Sequence, residues 1–86
     1  MKINNKTLPN TNITLKEFKK LLYEYFKAYP TMNTNYKKNI FVMNETYYDG
    51  IEIKQNKLGE LCDSLGIKYT KSYEYGWSKC IVIDLN

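Results

Sequence analysis

A chain holding one strongly amphipathic helix, signalled at both ends, must find an apolar surface to lay it against. Residues 13–30 are such a stretch. Thr14 is followed three residues later by Glu17, the spacing of a capping box. In that motif the Thr14 hydroxyl accepts from the Glu17 amide and the Glu17 carboxylate accepts from the Thr14 amide. Ile13 and Phe18 fall at the two positions of a hydrophobic staple. Pro30 cannot continue a helix and disfavours helical geometry at Tyr29. Between these ends Leu15, Phe18, Leu22, Tyr25 and Tyr29 recur at alternating spacings of three and four, and Leu21 and Phe26 widen the stripe. The pattern predicts one helix of about 15 residues with that face on the core.

The opposite face carries Lys16, Lys20, Tyr23 and Lys27, with Lys19 beside them. Its plainest reading is a solvated face, and its functional reading is a basic stripe for phosphates.

The rest of the chain reads as a small sheet built against this helix. Residues 1–12 are polar and rich in asparagine, with Ile3 and Leu8 as anchors. They predict a loosely attached arm, with a short edge strand over 2–4. Residues 31–39 read as loop, where Tyr36, Lys37 and Lys38 offer a second contact for phosphate. Ile40-Phe41-Val42-Met43 is a strand signal. Asp49-Gly50, between Tyr47-Tyr48 and Ile51-Glu52-Ile53, suits a type I′ turn, so a β-hairpin is expected over 40–54.

A second helix follows, with Asn56 as its expected cap and Leu58, Leu61, Cys62 and Leu65 on one face. Gly66 fits the left-handed position after it, with Ile67 folding back onto Cys62. Gly59 inside this helix costs about 1 kcal/mol and allows a close approach. Ile67, Tyr69, Tyr73 and Tyr75 then alternate with Lys68, Thr70, Ser72 and Glu74, which predicts a half-buried strand broken only by Lys71. After a turn at Gly76, residues 79–85 form a last strand with Ile81, Ile83 and Leu85 inward. Val82 on its other face calls for partial cover or an interface. The expected fold is one α+β domain over 1–86. It has order αββαββ, with two helices packed on one face of a four-stranded, mainly antiparallel sheet.

Residues 58–67 resemble the first helix and turn of helix-turn-helix proteins, where a small residue precedes the turn glycine by four; Cys62 and Gly66 take those places. The resemblance implies a recognition helix over 69–76 and a wing made by the last strands. Against it, Ser72 stands where that helix would bury an aliphatic residue, and the alternation argues strand.

Chemistry is poorly represented. The sequence has no histidine, and Cys62 and Cys80 lack metal-ligand spacing, so they read as reduced core thiols. Glu45, Asp49, Glu52 and Glu60 have no reason to converge as an acid–base pair. Neither catalysis nor a cofactor is expected. No apolar run follows the first lysine, so no signal peptide and a cytoplasmic location are expected.

The net charge is +4, and all thirteen cations are lysine. Without arginine, base-specific reading of duplexes is disfavoured, whereas lysine and tyrosine still hold single strands by charge and stacking. Lysine, ten asparagines, nine tyrosines and eight isoleucines point to an AT-rich genome, such as that of a low-GC bacterium, its phages or its plasmids. Tyr73, Tyr75 and Trp77 form the most aromatic spot, with Lys71 and Lys79 near it.

The expected function is a small non-catalytic binding protein of a phage or other mobile element. It would bind and inhibit a host protein, such as a nuclease or a CRISPR effector, through that aromatic spot. The alternative is a nucleic-acid-binding or transcription-regulating module using Lys16, Lys20, Tyr23, Lys27, Lys37 and Lys38. No membrane partner is expected, and a homodimer through Val82 or a sheet edge is compatible with the pattern.

Overall fold

The computed structural model describes residues 5–73 and 78–86. Both halves of the capping box form: the Glu17 amide donates to Thr14 Oγ1 at 3.2 Å and the Thr14 amide donates to Glu17 Oε1 at 2.9 Å. Helix α1 runs Leu15–Phe26, twelve residues. It is shorter than expected, and Pro30 does not end it. Lys27 adopts left-handed geometry (φ 60°), and its amide closes on the Tyr23 carbonyl at 2.7 Å. Leu15, Phe18 and Leu22 are buried, whereas Tyr25 and Tyr29, expected on the core face, are about half exposed. The early cap takes Tyr29 out of the helical stripe.

The stretch expected as loop after Pro30 contains a strand. β1 (Thr31–Asn35) pairs antiparallel with β2 (Ile40–Asn44) across a turn at 36–39. Asn35 Oδ1 accepts from the Lys38 amide at 3.0 Å, and Asn39 takes φ 55°, so asparagines build this turn. β3 (Thr46–Tyr48) and β4 (Ile51–Ile53) form a separate two-stranded sheet. The turn between them has Asp49 at φ 51° and Gly50 at φ 79°. The Asp-Gly hairpin thus forms, but the hairpin expected over 40–54 does not: β2 pairs with β1 and with β6 (Cys80–Asp84) instead of β4. β6 also pairs with β5 (Thr70–Ser72), so the main sheet runs β1-β2-β6-β5 and is antiparallel throughout. The element order is αββββαββ. Thr70–Ser72 is strand where the helix-turn-helix resemblance requires helix, so the described part of 69–76 does not bear the resemblance out.

Helix α2 runs Gln55–Ser64, and Lys54, not Asn56, is its N-cap. Its first amide, on Gln55, donates to Glu45 Oε2 at 2.9 Å. At its other end Ile67 N reaches Cys62 O at 2.9 Å and Gly66 N reaches Asp63 O at 3.2 Å, with Gly66 at φ 72°. This is the Schellman closure expected from Gly66.

One core cluster joins Leu15, Phe18 and Leu22 of α1 to Leu58, Leu61 and Cys62 of α2. Phe41, Met43, Ile81 and Ile83 of the sheet belong to it, as do Leu8, Ile53, Ile67 and Leu85. Phe18 and Phe41 meet edge to face, with centroids 6.3 Å apart. Register places Ile40, Val42, Cys80 and Val82 on the opposite side of the sheet, where they form a second, smaller cluster with Val82 partly covered. The arm is not loose over its described part. Leu8 is fully buried, its amide donates to Ile13 O at 2.8 Å, and the Leu15 amide donates to Lys6 O at 2.9 Å. The edge strand expected over 2–4 lies outside the described residues.

Candidate docking face

The left-handed cap at Lys27 turns the chain sharply off α1, and buried Pro30 pins it before β1 begins. Tyr29 therefore stands between α1 and the sheets. Its ring packs on Tyr23, centroids 4.8 Å apart and planes tilted by 38°. Thr31 and Thr46 tie the β3–β4 hairpin to the same place: the Thr31 amide donates to Thr46 Oγ1 at 2.7 Å. A groove of about 510 Å³ results, lined by Tyr23, Lys27, Tyr29, Tyr48, Asp49 and Ile51 among others.

A second groove, about 700 Å³, runs along α1 and is lined by Lys16, Glu17, Lys19, Lys20, Tyr29 and Met32. Tyr29 lines both, so the two grooves adjoin at its ring. Lys16, Lys20 and Lys27 are exposed and form no ion pair among the described residues. Lys19 differs from its neighbours: its Nζ lies over the Phe41 ring, 5.6 Å from its centre.

The residues expected from the sequence are thus distributed unevenly. Lys16, Lys20, Tyr23 and Lys27 come together with Tyr29 and Tyr48, which periodicity alone assigned to the core face and to a hairpin. Lys37 and Lys38 sit in the β1–β2 turn beside Tyr36 and line neither groove. Tyr73 and Lys79 are exposed. Lys71 Nζ donates to Asn56 Oδ1 at 3.0 Å, which holds it against the start of α2. Tyr75 and Trp77, with the turn at Gly76, lie outside the described residues.

Register still relates the two groups. Thr31, Asn44, Cys80 and Ser72 align across the four strands, so Tyr73 and Lys79 leave the sheet at the same end as Tyr29. Three strand spacings separate β1 from β5, about 14 Å.

Few groups here have chemistry of their own. Cys62 is buried in the core, and its thiol is pushed up to about 12, first by burial and then by the charge of Asp63. It is protonated and inaccessible at neutral pH. Among the described residues no group of three histidine, cysteine or acidic side chains is placed to hold a metal ion. Among them, too, no helix is long and apolar enough to cross a membrane. What the face offers is aromatic area beside unpaired lysines. Set against known protein families, curated proteins and solved structures, the chain matches none of them.

Proposed function

We propose that this chain is a non-catalytic binding protein of a phage or other mobile element that inhibits a host protein by occupying its surface in the cytoplasm. The observation that carries this reading is the exposure, among the described residues, of seven tyrosines, each 47–74% accessible, three of which (Tyr23, Tyr29 and Tyr48) line one groove. Tyrosine supplies large contact area at low entropic cost and is enriched where interfaces concentrate their binding energy. The lysine-only, asparagine-rich composition supports an AT-rich mobile element as the source.

Affinity-tagged full chain, passed through lysate of a low-GC bacterium, should retain one host protein in stoichiometric amount, and that protein should lose its activity on binding. Retention of nucleic acid alone, released by added nuclease, would overturn the reading.

A second reading, binding to single-stranded nucleic acid, is favoured by Lys16, Lys20 and Lys27 standing unpaired on one side of α1. It predicts oligonucleotide affinity that falls by about one power of salt per neutralised phosphate. Lys16→Gln, Lys20→Gln and Lys27→Gln together should then abolish that affinity.

A further inference from the structure

We infer that the two grooves meeting at Tyr29 are the docking face, and that its occupant is a protein surface carrying carboxylates around an apolar ridge. This rests on the protein-binding reading above and gives it a place and a chemistry.

Three observations favour such an occupant over a polyphosphate chain. First, each groove holds a carboxylate of its own, Glu17 beside Lys16 and Lys20, and Asp49 beside Tyr48. A run of phosphates would pass these charges at close range, whereas a protein surface can set a lysine or a hydroxyl against each. Second, the walls are apolar between the charges: Met32 in one groove, Ala28, Pro30 and Ile51 in the other. They suit aliphatic side chains. Third, Tyr23 and Tyr29 already pack on one another with centroids 4.8 Å apart, so no base can be sandwiched between these two rings. Lys16, Lys20 and Lys27 remain, on a chain of net charge +4, to meet the partner's carboxylates. An interface of ordinary size, about 800 Å² per partner, is wide enough to run from this face towards Tyr73 along the same sheet end.

The test uses the isotope-labelled full chain and two probes of matched charge: a glutamate- and leucine-rich peptide, and an oligothymidylate. Amide shifts should appear at Lys16, Lys20, Tyr23, Tyr29 and Tyr48 with the peptide, and leave Tyr36 and Lys57 unmoved. Tyr29→Ala, at an exposed position, should weaken the peptide about tenfold with the fold intact, and the triple lysine-to-glutamine variant by a similar factor. Tyr36→Ala should change nothing. Tighter binding of the oligothymidylate, shifts confined to the Tyr73 and Lys79 end, or concentration-dependent shifts from a second copy without any probe would each overturn the inference. The host protein captured by the unmodified chain separates the two levels. If Tyr29→Ala and the triple variant still retain it, the face is wrong and the inhibitor reading stands. If the unmodified chain retains no protein, both fall.

Discussion

Gly59 shows how one missing methyl group positions a ring. A Cβ at this position would lie 2.9 Å from the Tyr69 hydroxyl and 3.2 Å from the ring carbon bearing it. The ring lies over the helix there, and its hydroxyl donates to Asp63 Oδ2 at 3.2 Å. Gly59→Ala would gain about 1 kcal/mol of helix propensity but must push this ring aside. We expect a net loss of about 1 kcal/mol in the native background and a gain of about 1 kcal/mol when Tyr69→Ala has removed the ring. Urea denaturation of the four proteins in this cycle measures the difference. At the start of α1 the same scale governs pH. The hydrogen bond from the Thr14 backbone amide holds the Glu17 carboxyl below its ordinary range, and the Thr14 hydroxyl adds to this. The Asn86 amide does likewise for Asp84. A depressed carboxylate contributes stability that is fully present above its unfolded value and lost as pH falls through its folded value. Stability should therefore decline on acidification through and below the normal carboxylate range, and Glu17→Gln should flatten that limb in a series of urea midpoints against pH. Thr14→Ala should cost about 1 kcal/mol at neutral pH, measured in the same way.

Elements here are joined by contacts that reach across the chain. The amide that opens α2 is satisfied by Glu45, ten residues upstream, and the buried Gln55 side chain donates to Cys80 O at 2.9 Å and to Ser72 O at 3.3 Å. One turn of helix is thereby fixed to β5 and β6. Glu45→Ala should cost about 1 kcal/mol, the ordinary value of a lost cap, and more if Gln55 shifts with it. Asn56→Ala should stay within about 0.5 kcal/mol, since it loses only the exposed contact with Lys71. Chemical denaturation of the two variants side by side decides which residue caps α2. The contrast also marks what was legible in the sequence. The capping box, the Asp-Gly turn and the Schellman closure are each complete within six residues, and each forms as expected. β1 is not legible in the sequence, because Thr-Met-Asn-Thr-Asn carries no strand signal. It is recruited by register, which sets Met32 opposite Met43 against the core. The docking face was half legible for the same reason. Helical spacing puts Lys16, Lys20, Tyr23 and Lys27 together, but Tyr29 joins them through a cap that ends α1 early, and Tyr48 joins through a hairpin folded back on Thr31.

At the scale of the whole molecule the question is whether the two sides of the main sheet unfold together. Cys62 belongs to the large cluster that holds both helices, and Cys80 to the small cluster on the opposite side. Both thiols are buried, and the Cys62 thiol, pushed up to about 12, reacts only when the chain opens around it. The two sides are continuous through β2 and β6, where Phe41, Met43, Ile81 and Ile83 alternate with Ile40, Val42, Cys80 and Val82 along the same backbones. A strand cannot release one set of side chains while holding the other in register. We therefore expect iodoacetamide to label Cys62 and Cys80 at the same opening-limited rate and with the same urea dependence, read by peptide mass mapping. Ile81→Ala, at a fully buried core position, should destabilise by about 2–5 kcal/mol and accelerate both sites by one common factor. Labelling of Cys80 well ahead of Cys62 would mean that the small cluster opens alone. β5 would then be detaching from β6 at the sheet end where Tyr73 and Lys79 stand, leaving the Tyr29 end of the docking face on the stable part of the fold.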